Sequence, residues 1–434
     1  MTSLNLVSLA GCLAIGFIAW AIGGFRRPVP WRTVVGSGSL MLTLGAIVFL
    51  VPLSRNLLVL ANNAILGALA SSTEGAVFLF GPLALSPGSS TPGGEPSIGF
   101  VLAAQVLPAV IFFAALMAIL HYLRVIEPIV RFFGRIFHKT LKLSGAEALA
   151  GAIHIFFGVE TATAVRPYLA RMTQSELLTV LTCNLATVAS TTLAIYVIFL
   201  RDAFPQIAGH LLSASVISIP AAVLVSKLML PETETPETLG KVPQVAKEVK
   251  HANAMAALTS GAQDGLKVAA GITVVLIAVL GVVGLLDLIL GKLSTPFAAS
   301  LGGPLELSRI LGWLFTPFAW LLGIESADLA TAGRLLGQRL VLTEVVSYQE
   351  LGVLSAAGQL SPRTLLILSY ALCGFAHVAG MSIAVGGFSA LAPERVGDLT
   401  RVSLRALAAA TLASLATGSV AGFFYHGQSG LLGL

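Results

Sequence analysis

Ser326–Leu351 reads SADLATAGRLLGQRLVLTEVVSYQEL, an apolar helix-forming stretch with a charged or polar residue at about every fourth position. Gly145–Arg171, which reads GAEALAGAIHIFFGVETATAVRPYLAR, has the same character. Each stretch is long enough for two half-length helices. Polar, broken helices are tolerated at membrane depth only where they are buried in protein or line a cavity. The two stretches therefore predict two re-entrant helical hairpins, and the alternative is two ordinary spans of unusual polarity.

The composition of the whole chain supports a membrane environment. Of its 434 residues, 56% are hydrophobic and only 10% are charged, whereas roughly a quarter of the residues are charged in a soluble protein. The cysteines, Cys12, Cys183 and Cys373, lie in apolar runs, so we expect no disulfide framework. The net charge of +5 indicates topology, because Lys and Arg collect in cytoplasmic loops. We therefore expect no nucleic-acid partner.

Eight apolar segments have the length of transmembrane helices. They are Leu4–Phe25, Val34–Pro52, Phe100–Leu123, Leu177–Leu200, Leu211–Leu230, Val268–Leu290, Thr364–Phe388 and Leu404–Phe424. The less apolar Leu57–Phe80 is expected to lie along the membrane interface, and the charged Pro231–His251 to be a solvated linker. If the two hairpins enter from opposite faces, most of the 25 Lys and Arg residues fall on one side. That side is the cytoplasm by the positive-inside rule, which places both termini outside.

This arrangement divides the chain into five parts. They are residues 1–98 with the first spans, the interfacial helix and an outer loop, 99–230 with the third span, the first hairpin and spans four and five, 231–258 as a cytoplasmic linker, 259–325 with the sixth span and further scaffold, and 326–434 with the second hairpin and the last two spans. A hairpin followed by spans occurs twice, which is typical of an inverted-repeat transporter with a midplane substrate site. The predicted fold is an all-α polytopic membrane protein with eight transmembrane helices and two opposed re-entrant helical hairpins.

Two carboxylates, Glu160 and Glu344, lie one in each predicted hairpin. An ionisable group at membrane depth costs several kcal/mol unless it is paired or hydrated, so each is a functional candidate. There they can accept hydrogen bonds from sugar hydroxyls, ligate a cation or carry a proton. The alternative is that each is a structural carboxylate neutralised by a nearby arginine such as Arg166 or Arg339.

Two histidines, His154 and His377, lie well inside apolar stretches. An imidazole there can donate to a substrate, bind a carboxylate or titrate near neutral pH. The alternative is a histidine that only packs against a backbone carbonyl. The spacing of a zinc protease site, HExxH, is missing from the sequence, so zinc chemistry is disfavoured.

Hydroxyls and glycines mark two further positions inside predicted spans. Thr187 belongs to a polar cluster with Ser190, Thr191 and Thr192, whose hydroxyls can line a site or bond back to their own helix. The glycines of Gly374–Gly387 can let the helix unwind and expose carbonyls. The sequence contains no P-loop, dinucleotide fingerprint or GxSxG elbow. We therefore expect neither an ATP-driven pump nor an enzyme.

The same stretches resemble the concentrative nucleoside transporter family. The matching stretches are Ser144–Leu149, Arg166–Leu181, Thr259–Gly291, Arg334–Leu351 and Leu360–Arg395, in order along the chain. The resemblance implies a homotrimer in the lipid of the inner membrane. Each protomer would carry a nucleoside by an elevator-like movement of its hairpin-containing part, driven by a sodium ion or a proton and without other cofactors.

The resemblance also implies which residues form the site. The implied substrate contacts are Val159, Glu160, Thr161, Thr343, Glu344, Ser347, His377, Gly380 and Met381. The implied coupling-ion contacts are His154, Thr187 and Val188, with Thr187 as the one candidate sodium ligand.

Several of these positions depart from the family pattern. The tip Gly158-Val159-Glu160 is one residue shorter than in the family and lacks the glutamine that contacts the base. Thr343, His377 and His154 stand where the family has asparagines, and Gly380 where it has a serine. Because His154 replaces a sodium-binding amide, proton coupling becomes an alternative to sodium. A different polar substrate, or a membrane sensor or assembly protein that no longer transports, are the alternatives for function, and a preference for purines or pyrimidines stays open.

Overall fold

The computed structural model describes residues 2–91, 93–158, 161–240, 251–297, 303–427 and 433. Among these residues the chain is helical, and the one β-bridge pairs Ser90 with Pro96. The helices are α1 (Ser3–Ile22), α2 (Trp31–Leu50), α3 (Pro52–Phe80), α4 (Leu102–Gln105), α5 (Leu107–Tyr122), α6 (Glu127–Leu141), α7 (Gly145–His154), α8 (Thr161–Leu169), α9 (Gln174–Ala186), α10 (Ser190–Leu200), α11 (Ile207–Met229), α12 (Ala254–Ser294), α13 (Leu307–Leu321), α14 (Leu329–Leu342), α15 (Glu344–Ala356), α16 (Pro362–Ala371), α17 (Val378–Leu391) and α18 (Val396–Phe424).

Eight helical segments of the described chain are long and apolar enough to cross a membrane, so the polytopic all-α prediction is confirmed. They are Ser3–Ile22, Trp31–Leu50, Pro52–Ala84, Leu102–Tyr122, Gln174–Leu200, Ile207–Met229, Ala254–Ser294 and Pro393–Phe424. The observed helices differ from the expected ones in two segments, Leu57–Phe80 and Thr364–Phe388. The segment containing α3 qualifies by length and composition, so its placement along the interface stays a prediction.

The expectation of one continuous span over Thr364–Phe388 is wrong. The segment consists of α16 and α17, with a non-helical break between Ala371 and Val378. Gly374 has a φ of 147° in this break, a conformation that side chains other than glycine's disfavour. The glycines therefore unwind the segment, as their spacing indicated.

The most deeply buried apolar segments are the long helices that end the two repeats, α11 and α18. Of the most apolar window, 83% is buried in α11 and 89% in the segment containing α18, against 11% in α12 and 28% in α1. Helix α18 packs closely because it is rich in small residues: a Cβ on Gly418 would lie 2.7 Å from the Cβ of Ala371. Small residues allow such close approach of helices. The peripheral helices α1, α3 and α12 leave large apolar side chains exposed, as expected for contact with lipid.

The second hairpin consists of α14 and α15, which run antiparallel and meet at Thr343. The Gln338 Nε2 atom donates to Oε2 of Glu350 at 2.6 Å, and the Ser347 hydroxyl donates to the Leu335 carbonyl at 3.1 Å. Thr343 itself has φ 96° and ψ 158°. The first hairpin consists of α7 and α8, which also pack against each other. The faces from which the two hairpins enter the membrane stay a prediction.

Each hairpin is followed by a broken helix and then by a long one. Helices α9 and α10 are separated at Thr187–Ala189, and α16 and α17 at 372–377. The first break is fixed to the first hairpin, because the backbone N–H and the hydroxyl of Ser190 both donate to the Phe156 carbonyl, at 3.0 and 2.7 Å. The order of hairpin, broken helix and long helix thus occurs twice, as the repeat predicted.

The linker Pro231–His251 is exposed at most of its described positions, and residues 241–250 lie outside the described chain. Its first part nevertheless binds the start of α7, the first helix of the first hairpin. The N–H groups of Gly145 and Ala146 donate to the carbonyl and hydroxyl of Thr238, each at 3.0 Å. These N–H groups belong to the first turn of α7, which has no partners for them within the helix. The linker therefore supplies part of the cap of the hairpin.

Beneath this cap lies a buried ion pair. Nζ of Lys227, near the end of α11, lies 2.6 Å from Oε1 of Glu147, and the two side chains are 6% and 2% exposed. The same Nζ donates to the Ser175 hydroxyl at 2.9 Å. Glu147 also closes the capping box of α7 by accepting from the Ser144 N–H at 3.1 Å. The start of the first hairpin is thus fixed to α9 and α11.

Candidate functional site

A cavity of about 310 Å³ lies between the tip of the second hairpin, the two helix breaks and α12. Its polar lining residues are Asn184, Thr187, Thr191, Thr192, Thr343, Glu344 and His377, together with Lys267. The remaining wall is apolar and includes Phe375 and the α12 residues Val268, Ile272 and Leu276. Small-molecule sites typically have this character, with few polar groups on an apolar wall.

Glu344 presents its carboxylate at the N-terminus of α15. The residue is 1% exposed, and the positive end of the helix dipole stabilises a negative charge there. Its Oε1 atom accepts a hydrogen bond from the Tyr196 hydroxyl at 2.8 Å. Its Oε2 atom lies 3.0 Å from Nε2 of His377. The carboxylate is therefore fixed from α10 on one side and from the second helix break on the other.

His377 caps the N-terminus of α17. Its Nδ1 atom accepts the N–H of Gly380 at 3.1 Å, so in the neutral ring the proton is assigned to Nε2. That nitrogen faces Glu344. The ring of Phe375 packs edge-on against the imidazole with centroids 4.6 Å apart, which fixes the orientation of the ring.

Three buried polar atoms around this cavity make no hydrogen bond of good geometry with the described residues. They are Oγ1 of Thr343, Oε2 of Glu344 and Nε2 of His377. The last two atoms lie 3.0 Å apart, so each faces the other as well as the cavity. Buried polar groups are nearly always hydrogen-bonded, and leaving one unsatisfied costs about 1–3 kcal/mol. The three atoms therefore indicate a ligand that has both hydrogen-bond donors and acceptors.

Arg339 does not neutralise Glu344 through a direct ion pair among the described residues. Its Nη1 atom donates instead to the Ala371 carbonyl at 2.7 Å, at the end of α16. The guanidinium is buried, and its Nε atom has no partner in the described chain. Arg339 thus stabilises the second helix break, and the carboxylate of Glu344 stays directed toward the cavity. Arg166 is exposed.

The coupling-ion candidates cluster at the first helix break. His154 is the last residue of α7 and is fully buried, with Nδ1 3.4 Å from Nδ2 of Asn184. Its Nε2 atom has no partner among the described residues. The Thr187 hydroxyl donates to the Cys183 carbonyl at 2.9 Å, so it binds its own helix while its oxygen remains free to accept. No group of three His, Cys, Asp or Glu residues in the described chain has the geometry of a metal site.

The structure brings five of the predicted site residues to the cavity and leaves others away from it. Thr187, Thr343, Glu344, His377 and Gly380 line the cavity. Five further candidates, Thr161, Ser347, Met381, Val188 and His154, are not among its lining residues. Ser347 contacts the Leu335 carbonyl inside the hairpin, and the Thr161 hydroxyl donates to the Phe157 carbonyl at 3.4 Å. Val159 and Glu160 lie outside the described residues.

Tyr196 and Asn184 were not identified from the sequence. Tyr196 lies in the apolar run LAIYVIFL and contacts a residue 148 positions away, so only the tertiary fold shows its role. Asn184 precedes Thr187 by one helical turn. A polar residue at that spacing from the hydroxyl cluster is the signal that identifies it.

A second cavity of about 480 Å³ adjoins the first. The two share Gly158, Ala189, Thr191, Lys267 and Val268 in their linings. The second cavity is more polar because it adds Glu127, Asp264 and His251 among other residues. The shared wall makes the two cavities neighbours at the first hairpin and α12.

Sequence models of three protein families match the chain. "Na+ dependent nucleoside transporter N-terminus" matches residues 10–83, "Nucleoside recognition" matches 103–203, and "Na+ dependent nucleoside transporter C-terminus" matches 210–422.

Similar proteins extend along nearly the whole chain. Nucleoside permease NupC of Helicobacter pylori is 33% identical over 97% of this chain and 98% of its own. The putative nucleoside permease NupX of Escherichia coli is 33% identical over 96% and 98%. Sodium/nucleoside cotransporter 2 of Rattus norvegicus is 30% identical over 97% of this chain and 63% of its own.

Solved structures of the protein CNTnw have the same fold. Its inward-facing substrate-bound state has a TM-score of 0.84 at 35% identity, and it covers 97% of this chain and 98% of that chain. A doubly substituted CNTnw in an outward-facing state has a TM-score of 0.86 at 35% identity, with 98% of each chain covered.

Proposed function

We propose, since the chain belongs to the Na+ dependent nucleoside transporter family, that it is a secondary active transporter that imports nucleosides by cation symport. The observation that carries the proposal is a set of three buried polar atoms, on Thr343, Glu344 and His377, that lack a hydrogen bond of good geometry in the described chain and surround one mainly apolar cavity. A nucleoside matches this cavity, because it combines a polar sugar with a flat, largely apolar base.

In this proposal, different walls of the cavity bind different parts of the substrate. Oε2 of Glu344 accepts a hydrogen bond from a sugar hydroxyl, and Nε2–H of His377 donates to a sugar oxygen. The apolar wall formed by Phe375 and α12 packs against the base. Glu160, Val159 and Thr161 in the sequence of the first hairpin, Ser347 on α15 and Met381 on α17 are further candidates by resemblance alone.

The remaining features of the proposal follow from topology and from the family. The hairpins enter from opposite faces, both termini lie outside, and three protomers assemble in the inner membrane. The second cavity supports a release route toward the cytoplasm, because Glu127 and Val130 of α6 and Lys267 line it, and the positive-inside rule places α6 and Lys267 on that side. The hairpin-containing part moves as a unit between the two faces.

We propose that the coupling ion is a proton bound near His154. Hard cations such as sodium prefer oxygen ligands, whereas the side chain facing the first helix break from α7 is an imidazole. An imidazole can take up a proton, and the protonated ring would itself carry the positive charge that a bound cation would supply. The Thr187 oxygen, the Na+ dependent family that the chain belongs to and the similar sodium/nucleoside cotransporter favour the alternative, sodium.

Uridine uptake into proteoliposomes tests the coupling ion. We expect an inward proton gradient to drive uptake in the absence of sodium, and an added sodium gradient to contribute little. His154→Asn restores an amide at this position, so we expect this variant to lose the response to the proton gradient and to gain stimulation by sodium. If removal of sodium abolishes uptake by the unsubstituted protein at every pH, the proton proposal is wrong.

Counterflow of labelled uridine tests transport itself. A transporter exchanges labelled for unlabelled uridine across the liposome membrane without any ion gradient, whereas a sensor binds uridine without exchange. A thermal-shift series with nucleosides, nucleobases and other polar metabolites identifies the ligand, because a compound at 100 times its Kd stabilises the folded state by about 2.7 kcal/mol. The proposed function is wrong if uridine shows no counterflow and no nucleoside raises the melting temperature.

A further inference from the structure

We propose that Tyr196 is a positioning residue that holds the Glu344 carboxylate in its ligand-binding orientation. Its hydroxyl donates to Oε1 at 2.8 Å, which leaves Oε2 directed toward His377 and the cavity. The inference rests on the proposed function, because it takes Glu344 to be a nucleoside contact.

Tyr196 acts from outside the cavity. It is fully buried, and it is not among the residues that line the cavity, whereas Glu344 is. An effect of its hydroxyl on ligand binding must therefore pass through another group. The hydroxyl has one hydrogen-bond partner in the described chain, and that partner is the carboxylate of Glu344.

The direction of the hydroxyl is fixed by stacking. The ring of Tyr196 lies against the ring of Tyr348, with centroids 4.3 Å apart and an interplanar angle of 16°. Tyr348 lies one helical turn after Glu344 on α15, and its own hydroxyl donates at 2.6 Å to the Ser369 carbonyl and not to Glu344. The hydroxyl of Tyr196 therefore meets the carboxylate in one geometry.

A carboxylate needs such a partner in order to be preorganised. The terminal torsion of a glutamate is broad, with no sharp preference among its rotations. A hydrogen bond to an ionised acceptor is stronger than one between neutral groups, and it removes this freedom before the ligand arrives. Preorganisation of this kind increases affinity because less order has to be imposed on binding.

Tyr196 also joins the two repeats. It lies on α10, whose first residue, Ser190, is bonded to the Phe156 carbonyl of the first hairpin. Glu344 belongs to the second hairpin. The hydrogen bond between Tyr196 and Glu344 thus fixes the position of the carboxylate relative to α10 as well as its rotation.

The test compares Tyr196→Phe with Tyr348→Phe. Each removes one hydroxyl and preserves the stacked rings, but only the first hydroxyl contacts Glu344. We expect Tyr196→Phe to raise the KM for uridine about tenfold with little change in maximal rate. It should leave the affinity for 2′,3′-dideoxyuridine, which lacks two sugar hydroxyls, nearly unchanged. Tyr348→Phe should preserve the ratio of the two affinities. The melting temperature of each variant verifies folding.

A double substitution provides an independent measurement. If Tyr196 acts through Glu344, Tyr196→Phe has no further effect on uridine binding in a Glu344→Gln background, so the two changes are non-additive. The inference is overturned if Tyr196→Phe leaves uridine affinity unchanged, weakens both nucleosides equally, or adds fully to Glu344→Gln. The proposed function predicts that the unsubstituted protein transports uridine, whatever the role of Tyr196. If that transport is observed and the variants behave in one of these ways, only the inference about Tyr196 is wrong.

Discussion

Replacement of Glu344 by Gln is expected to weaken nucleoside affinity by roughly 10- to 100-fold while the protein still folds. The change removes the negative charge that accepts from the sugar, and a hydrogen bond to a charged group contributes about 1.5–3 kcal/mol, where 1.4 kcal/mol corresponds to a factor of ten. Glutamine has the same shape, and its oxygen can still accept from Tyr196, so the site stays packed. Uridine transport constants in proteoliposomes measure the effect.

The matched control is Glu350→Gln on the same helix. Glu350 is 28% exposed and pairs at 2.5 Å with Arg334 on α14, the other helix of the hairpin. It does not line the cavity. We expect this variant to retain the transport constant of the unsubstituted protein. An unchanged constant in Glu344→Gln, or an equal loss in both variants, would show that the charge of Glu344 does not bind the substrate.

Replacement of Lys227 by Met is expected to reduce the free energy of unfolding by about 3–5 kcal/mol, the usual range when one partner of a buried ion pair is removed. The Glu147 carboxylate would be left 2% exposed without its cation, and the Ser175 hydroxyl would lose its donor. Thermal unfolding in detergent measures the loss.

Two controls separate the buried charge from other effects of the substitution. In the double variant Lys227→Met, Glu147→Gln, no charge remains unpaired between these two positions, and Gln still completes a capping box, so most of the stability should return. Arg171→Met breaks the exposed pair of Arg171 and Glu237, whose side chains are 72% and 46% exposed, and should cost less than about 1 kcal/mol. A double variant as unstable as the single one would contradict this explanation.

The hairpins were predictable because polarity inside an apolar run has few physical explanations. The spacing around Glu344 indicated a broken segment, and the structure places a turn at Thr343, one residue before it. The glycines of Gly374–Gly387 likewise indicated where the last broken helix unwinds. These are local signals, since each depends on residues that are neighbours in the chain.

The parts that were not predicted depend on distant contacts. A hydropathy average over about 20 residues does not detect a break of six residues. Hydropathy therefore predicts one continuous span over Thr364–Phe388. Tyr196 gave no signal because a tyrosine in an apolar run resembles any other core aromatic residue. The contact of Arg339 could not be predicted either: proximity in sequence offered Glu344 as an alternative partner, whereas its guanidinium binds the Ala371 carbonyl 32 positions away.

The backbone at Thr343 restricts which residues this position tolerates. A residue with φ 96° and ψ 158° lies in a region that is essentially accessible only to glycine and costs about 1–3 kcal/mol for other residues. A branched side chain is poorly suited to it, and its presence here places beside the carboxylate a hydroxyl that has no hydrogen-bond partner in the described chain. Substitutions at this position are therefore constrained: glycine would relieve the strain but remove the hydroxyl, and a larger apolar residue would keep the strain and remove the hydroxyl.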